Sequence, residues 1–221
     1  MKNHAILIQT HSNVELLAML IQRMAAENHY FFIHVDSKTK NYKDFLALSS
    51  DHVFYTEKRY NVRWGSIEQI YLTLELIRTV KSTRIKFDYY HLISGQDFPI
   101  LSNKVFDAFF ENNDKSYMEL DLHTDFTSRY MLYHFNGLLN VRGKWGGRFE
   151  RNGIKIQKKI IKYFNIRKPL VCKAYKGSNW WSLNFRLIDY IMSFLEKTPS
   201  YLKRFRLTSC CDEVFFSHHC L

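Results

Sequence analysis

Three prolines and eight glycines in 221 residues leave no room for a linker-rich, collagen-like or proline-rich segment. Long apolar runs are missing too. None reaches the roughly 18–20 residues that a bilayer-spanning helix needs. Cysteine is scarce, at Cys172, Cys210, Cys211 and Cys220 only. In a chain without an export signal these are expected to be free thiols, not a disulfide framework. The tail Cys210-Cys211 with His218, His219 and Cys220 lacks the spaced cysteine pair of usual structural zinc sites, so no metal is expected there. Acid is the minority charge: 21 Asp and Glu face 32 Lys and Arg, a net charge of +11.

What is present is core-forming material. Hydrophobic residues make up 46% and aromatics 16%, which excludes a disordered chain. The length suits one domain over residues 1–221, with a sheet and helices on both faces. The opening stretch to Thr10 turns polar too soon for a signal peptide and reads as a first strand. The expectation is a cytoplasmic protein, peripheral at most at the inner face of the plasma membrane. Three partners compete for the positive charge: nucleic acid, an anionic membrane surface, and a nucleotide diphosphate. The densest cluster spans residues 142–168, with Ile154, Ile160, Ile161 and Phe164 among its cations. A basic amphipathic helix and a solvated face fit it equally, and nucleic acid ranks below both.

Periodicity supplies the order of elements. Residues 5–9 read as a buried strand. Ser12-Asn13-Val14-Glu15 has capping-box form, and Leu17, Leu20, Ile21 and Met24 follow at helical spacing to about Asn28. Residues 30–35 form the next strand, and strand–helix–strand implies parallel pairing. A short helix near 42–48, a short strand near 53–55, a long helix over 66–80 and a strand over 87–93 come next. A helix around 105–110 and a strand over 116–120 complete an alternating α/β pattern. From about 122 to 176 the pattern loosens into an expected loop-rich basic insertion. It tightens again as a strand over 180–183 and a helix through Leu187, Ile188, Ile191, Met192 and Leu195.

Five motifs recur along this frame. They are Phe31-Phe32-Ile33-His34-Val35-Asp36, Val62-Arg63-Trp64-Gly65-Ser66, and the run from Asp88 through Ser94-Gly95-Gln96-Asp97 to Pro99. Lys176-Gly177-Ser178-Asn179-Trp180-Trp181-Ser182-Leu183 and Cys211-Asp212-Glu213-Val214-Phe215-Phe216 follow. In order and spacing, over residues 5–216, the chain resembles the core-2/I-branching glycosyltransferases, a family that also contains peptide O-xylosyltransferases. The resemblance implies a GT-A-like, Rossmann-type sheet. It also implies an inverting transfer from a UDP-sugar, N-acetylglucosamine first and xylose second, to a glycan or lipid-linked glycan.

Several residues inherit expected roles from it. Glu213 is the catalytic base, although cysteine stands at 211 where relatives carry proline. Ser178, Asn179 and Trp180 line the donor-sugar pocket. His11 and Asp36 frame the nucleotide, while Arg63, Trp64, Gly65, Gln96 and Asp97 complete the donor side. From the residues alone, Asp212 and Glu213 read first as first-turn acids of a helix, Asp36 reads equally as a cap or turn residue, and Asp97 sits in a tight turn before Phe98-Pro99. Alternation puts Trp180 and Trp181 on opposite faces of a strand. No Asp-x-Asp motif is present, the nearest segment being Asp121-Leu122-His123, so no metal cofactor is expected. Relatives usually continue past the acid pair with basic residues for the diphosphate, whereas here Leu221 follows Phe216 by five residues. Either Arg63 or the 142–168 cluster takes that role, or the chain is a shortened, non-catalytic nucleotide- or glycan-binding relative.

Overall fold

The computed structural model describes residues 1–124, 126–134 and 175–219, with scattered positions between 152 and 168. The chain is mixed α/β. Its elements begin β1 (His4–Thr10), α1 (Val14–Met24), β2 (His29–Val35), α2 (Tyr42–Leu46), β3 (Val53–Tyr55), α3 (Glu68–Ser82), β4 (Tyr89–Ser94) and α4 (Asn103–Glu111). They continue with β5 (Tyr117–Asp121), α5 (Thr127–Met131), β6 (Lys176–Asn184), α6 (Phe185–Lys197), a 3-10 turn (Tyr201–Phe205) and α7 (Asp212–His219). The six strands are ordered β3-β2-β1-β4-β6-β5.

β1 lies parallel between β2 and β4, with His4 opposite His29 on one side and Tyr89 on the other. β3 extends the parallel part beside β2. β1 and β2 are buried almost throughout, as apolar strands covered on both faces must be. Ile6, Ile8, Phe31 and Ile33 pack with Leu17, Leu20 and Met24 of α1 into one core cluster. β6 reverses the pattern. It runs antiparallel to β4, pairing His91 with Ser182 and Leu92 with Trp181.

Four expectations need adjustment. Asn13, not Ser12, caps α1: it sits in the left-handed region at φ 61°, and its side chain accepts from the Leu16 amide. Asparagine tolerates that conformation better than most residues and carries its own acceptor. The helix also stops at Met24, and Ala25 already has extended backbone. β6 begins at Lys176, four residues before the expected strand, so the motif from Lys176 to Leu183 lies wholly on it. Within the stretch expected to be loops, α5 and helical positions such as Lys155, Ile156, Lys159 and Ile160 are described, the last four exposed. Of the basic positions in the 142–168 cluster, Arg142, Lys144, Arg148, Arg151, Lys158, Lys162 and Arg167 lie outside the described residues, as do Cys172 and Cys220.

The chain divides into two compact units. One comprises Met1–Asn61, Tyr71–Met118 and Trp180–Tyr190, and the other Val62–Ile70, Glu119–Asn179 and Ile191–Leu221. No described helix is long and apolar enough to cross a membrane.

Candidate active site

The candidate residues divide between the two units, and each unit joins motifs that are far apart in sequence. In the first, the carboxyl ends of parallel strands β1, β2 and β4 come together, the end of an open α/β sheet where ligands bind. The Asp36 amide donates to the Thr10 carbonyl (2.9 Å) and the Gly95 amide to the Gln9 carbonyl (2.8 Å). His11 is exposed beside them, its carbonyl held by the Thr39 hydroxyl at 2.9 Å.

Asp36 is nearly buried. One carboxylate oxygen accepts from the Lys38 amide at 2.8 Å, and the other lies 3.4 Å from the Lys38 ammonium. It is therefore a turn residue at least in part. Arg59, which the sequence reading passed over, secures this turn. Its guanidinium donates to the carbonyls of Val35, Asp36 and Thr39 and stacks on Tyr42 at 3.8 Å. A lone arginine in Glu57-Lys58-Arg59-Tyr60 has no spacing that would have singled it out.

His34 is buried, and its Nε2 accepts from the Tyr60 amide at 2.9 Å. Burial is the main cause that pushes its pKa down to about 4. An unfolded chain takes up a proton on this ring near 6.5, which the folded chain refuses until about 4. Stability is thus intact above pH 6.5 and falls as pH drops through that window, by up to about 3 kcal/mol. Urea unfolding between pH 7 and 4.5 is expected to show a steeper acid limb for the parent chain than for His34→Gln. Equal slopes would mean that His34 does not contribute to it.

The loop after β4 is tight. Asp97 Oδ2 accepts from the Ser94 amide at 2.7 Å and the Gln96 amide donates to Ser94 Oγ, so Asp97 is structural while the Gln96 side chain is exposed. Gly95 explains the closeness of this loop to β1: a Cβ there would stand 2.6 Å from Thr10 Oγ1 and 2.7 Å from Thr10 Cβ. Threonine is stiff at χ1 and cannot turn away. Gly95→Ala is expected to cost about 1–3 kcal/mol in denaturant unfolding. A Thr10→Gly background, which removes both clashing atoms, should recover most of that loss. No coupling between the two sites would overturn the steric account.

The second unit joins three motifs. Gly65 has φ +67°, and an added Cβ would meet the Cys210 amide nitrogen at 3.1 Å. The Cys210 amide in turn donates to the Gly65 carbonyl at 3.0 Å. The glycine of Arg63-Trp64-Gly65 is thus required by the approach of the segment just before Glu213. Trp64 itself is exposed, and the Arg63 guanidinium lies 4.0 Å from Glu68. α3 opens at Glu68, two residues later than expected, after Ser66 Oγ turns back to the Arg63 carbonyl.

Glu213 is the second residue of α7, next to buried Asp212. Its carboxylate lies 3.8 Å from the Lys176 ammonium at the start of β6, and both side chains are partly exposed. Asn179, further along the same strand, has a buried side-chain oxygen without a hydrogen-bond partner among the described residues. Alternation on β6 is as expected, with Trp181 buried and Trp180 41% exposed. Trp180 belongs to the first unit and Ser178 to the second. Asp121, the nearest thing to an Asp-x-Asp carboxylate, accepts from the amides of Thr124 and His123, which hold its carboxyl below the usual range.

Lys168, counted in the sequence as part of a basic surface cluster, is a correction. It is buried, and its ammonium donates to the carbonyls of Arg204 and Arg206 and to Thr208 Oγ1 at 2.6–2.9 Å. Burial draws its pKa down to about 8. It ties together the loop that leads into α7.

The model of the core-2/I-branching enzymes matches residues 5–218. The chain belongs to this family. The relatives include a Caenorhabditis elegans xylosyltransferase (sqv-6), 34% identical over 102 residues, 41% of this chain and 12% of that protein. A zebrafish beta-1,3-galactosyl-O-glycosyl-glycoprotein beta-1,6-N-acetylglucosaminyltransferase is 27% identical over 99 residues, 42% of this chain and 23% of its own. Rat xylosyltransferase 2 is 26% identical over 210 residues, 93% of this chain and 23% of its own. The chain thus spans about a quarter or less of the length of these relatives.

Proposed function

We propose that this chain is a glycosyltransferase that moves a sugar from a UDP-sugar to a glycan hydroxyl with inversion and without a catalytic metal. The observation that carries this reading is the family match over residues 5–218, a span that contains every candidate residue from His11 to Glu213. Inverting transfer needs a base for the acceptor hydroxyl, polar groups for the sugar and positive charge for the leaving diphosphate. Glu213 is the base in this reading. Asn179, whose amide oxygen has no hydrogen-bond partner among the described residues, contacts the sugar hydroxyls in this reading. Lys176 and Arg63 supply basic side chains in place of a metal. A lipid-linked acceptor at an anionic membrane surface suits the net charge of +11.

N-acetylglucosamine is the first donor in this reading. Xylose is the second, and one observation favours it. A relative named for xylosyl transfer matches over 93% of the chain, against 42% for the N-acetylglucosaminyl relative. Release of UDP from a panel of UDP-sugars, with and without glycan acceptors, decides between them. Release is expected with one donor above all others, to rise with acceptor, and to persist on brief exposure to EDTA. Activity that disappears with chelator and returns with manganese would overturn the metal-free mechanism. No release with any donor would leave a nucleotide- or glycan-binding protein.

A further inference from the structure

At the opposite end of β1 and β2 from Thr10 and Asp36, about 20 Å along seven-residue strands, lies a cluster of metal-ligating side chains that the proposed transfer does not use. His4 opens β1, His29 opens β2 beside it, and Asp107 projects from α4. The two histidines are buried completely or nearly so, and Asp107 remains about one-fifth exposed. His29 Nε2 lies 2.7 Å from Asp107 Oδ1, and His4 Nε2 lies 3.7 Å from the same oxygen. One ligand atom from each residue falls within 4.8 Å of the others.

The far sides of both rings are already engaged. His29 Nδ1 is 2.7 Å from the Met24 carbonyl, which can only accept, so this nitrogen carries the proton. The neutral ring then presents the Nε2 lone pair to Asp107, an arrangement that repels unless a proton or a cation lies between them. His4 Nδ1 is 2.9 Å from His91 Nε2, and His91 Nδ1 is 2.8 Å from Ser182 Oγ. A proton on His4 Nδ1 and another on His91 Nδ1 satisfy both of these bonds. That leaves His4 Nε2 as a lone pair, and it has no hydrogen-bond partner among the described residues. Metal-bound histidines characteristically donate their second ring nitrogen to a carbonyl or another acceptor in this way. Asn28 adds a second orphan: its buried Oδ1 has no hydrogen-bond partner among the described residues, while its amide nitrogen is 3.3 Å from Asp107 Oδ1.

We propose that His4 Nε2, His29 Nε2 and an Asp107 carboxylate oxygen bind a divalent transition-metal ion of the zinc class, which clamps α4 to the amino ends of β1 and β2. Two imidazoles and a carboxylate suit zinc, with metal–ligand distances near 2.0–2.2 Å. Those lengths require His29 and Asp107 to part by about half an ångström from their present hydrogen-bond distance. A small outward movement of partly exposed Asp107 provides it and is also the entry path. Asn28 Oδ1 or a water completes the set. The site is structural and stands independently of the proposed sugar transfer.

The test uses the full chain, free of any affinity tag, and no sugar donor. After loading with zinc and gel filtration, metal analysis is expected to find one zinc per chain. The thermal midpoint should rise with zinc concentration and fall after prolonged chelation. Cobalt should give visible d–d bands of a low-symmetry nitrogen–oxygen site. Asp107→Asn and His29→Gln should each lose retention by at least tenfold. X-ray absorption of the zinc-loaded parent chain keeps the proposal falsifiable if those variants do not fold, since its nearest shell should hold nitrogen and oxygen only. A zinc–sulfur shell near 2.3 Å would place the ion at the cysteines and overturn it. Retention unchanged in both variants would overturn it as well. No retention and no midpoint shift would show that the cluster is a plain His29–Asp107 ion pair.

Discussion

Glu213→Gln is expected to lower turnover by about 10²–10⁴-fold, the usual worth of a general base. The change keeps size and hydrogen bonding but removes the carboxylate that faces Lys176 at 3.8 Å. Donor affinity should barely change, because a base acts on the acceptor hydroxyl and not on the diphosphate. Steady-state kinetics should therefore show the loss in kcat with little effect on donor KM. If Glu213 is only a helix-dipole acid at the start of α7, the change costs about 0.3–1 kcal/mol of stability and leaves catalysis intact. A folded Glu213→Gln protein that turns over normally would refute the assignment. Asp212→Asn is the control. Asp212 is buried beside Cys211, whose thiol burial and Asp212 push upward, so this variant should lose stability more than turnover per folded molecule.

Lys168→Met should be the largest stability loss, about 3 kcal/mol or more. The ammonium donates to the carbonyls of Arg204 and Arg206 and to the Thr208 hydroxyl. Bonds to a charged donor contribute about 1.5–3 kcal/mol, and buried acceptors left unpaired cost about 1–3 kcal/mol each. Only part of this is recovered, since Thr208 Oγ1 already reaches the Arg204 carbonyl at 3.3 Å. The consequences extend beyond stability. The segment that Lys168 secures contains left-handed Leu207 and leads through left-handed Cys210 to Glu213. Turnover should accordingly fall together with the denaturation midpoint. A change below about 1 kcal/mol, with kinetics unaltered, would show that the lysine is dispensable.

Much of the frame was legible in the sequence because it rests on local pattern. Apolar residues two apart along β6 put Trp181 inside and Trp180 outside, and spacing of three and four wrote α1 and α6. The turn roles of Asp36 and Asp97 were legible too, since short polar side chains beside their own amides tend to bond them. Asn13 was missed as the cap because Ser12-x-x-Glu15 imitates a capping box one residue early. Arg59 and Lys168 were missed because nothing in the sequence beside a cation tells whether carbonyls or water surround it.

Residue types and short intervals were enough for the alternation of strands and helices up to β5, for membership of the core-2/I-branching family over residues 5–218, and for the acid pair at 212–213. Tertiary structure decided the antiparallel course of β6, the approach of Cys210 to Gly65, and the burial of one lysine from a cationic run. It also decided the meeting of His4, His29, His91 and Asp107. Each of these sets a distance between residues tens of positions apart. Such distances follow from strand register and from which face a helix buries, and no interval within the sequence encodes them.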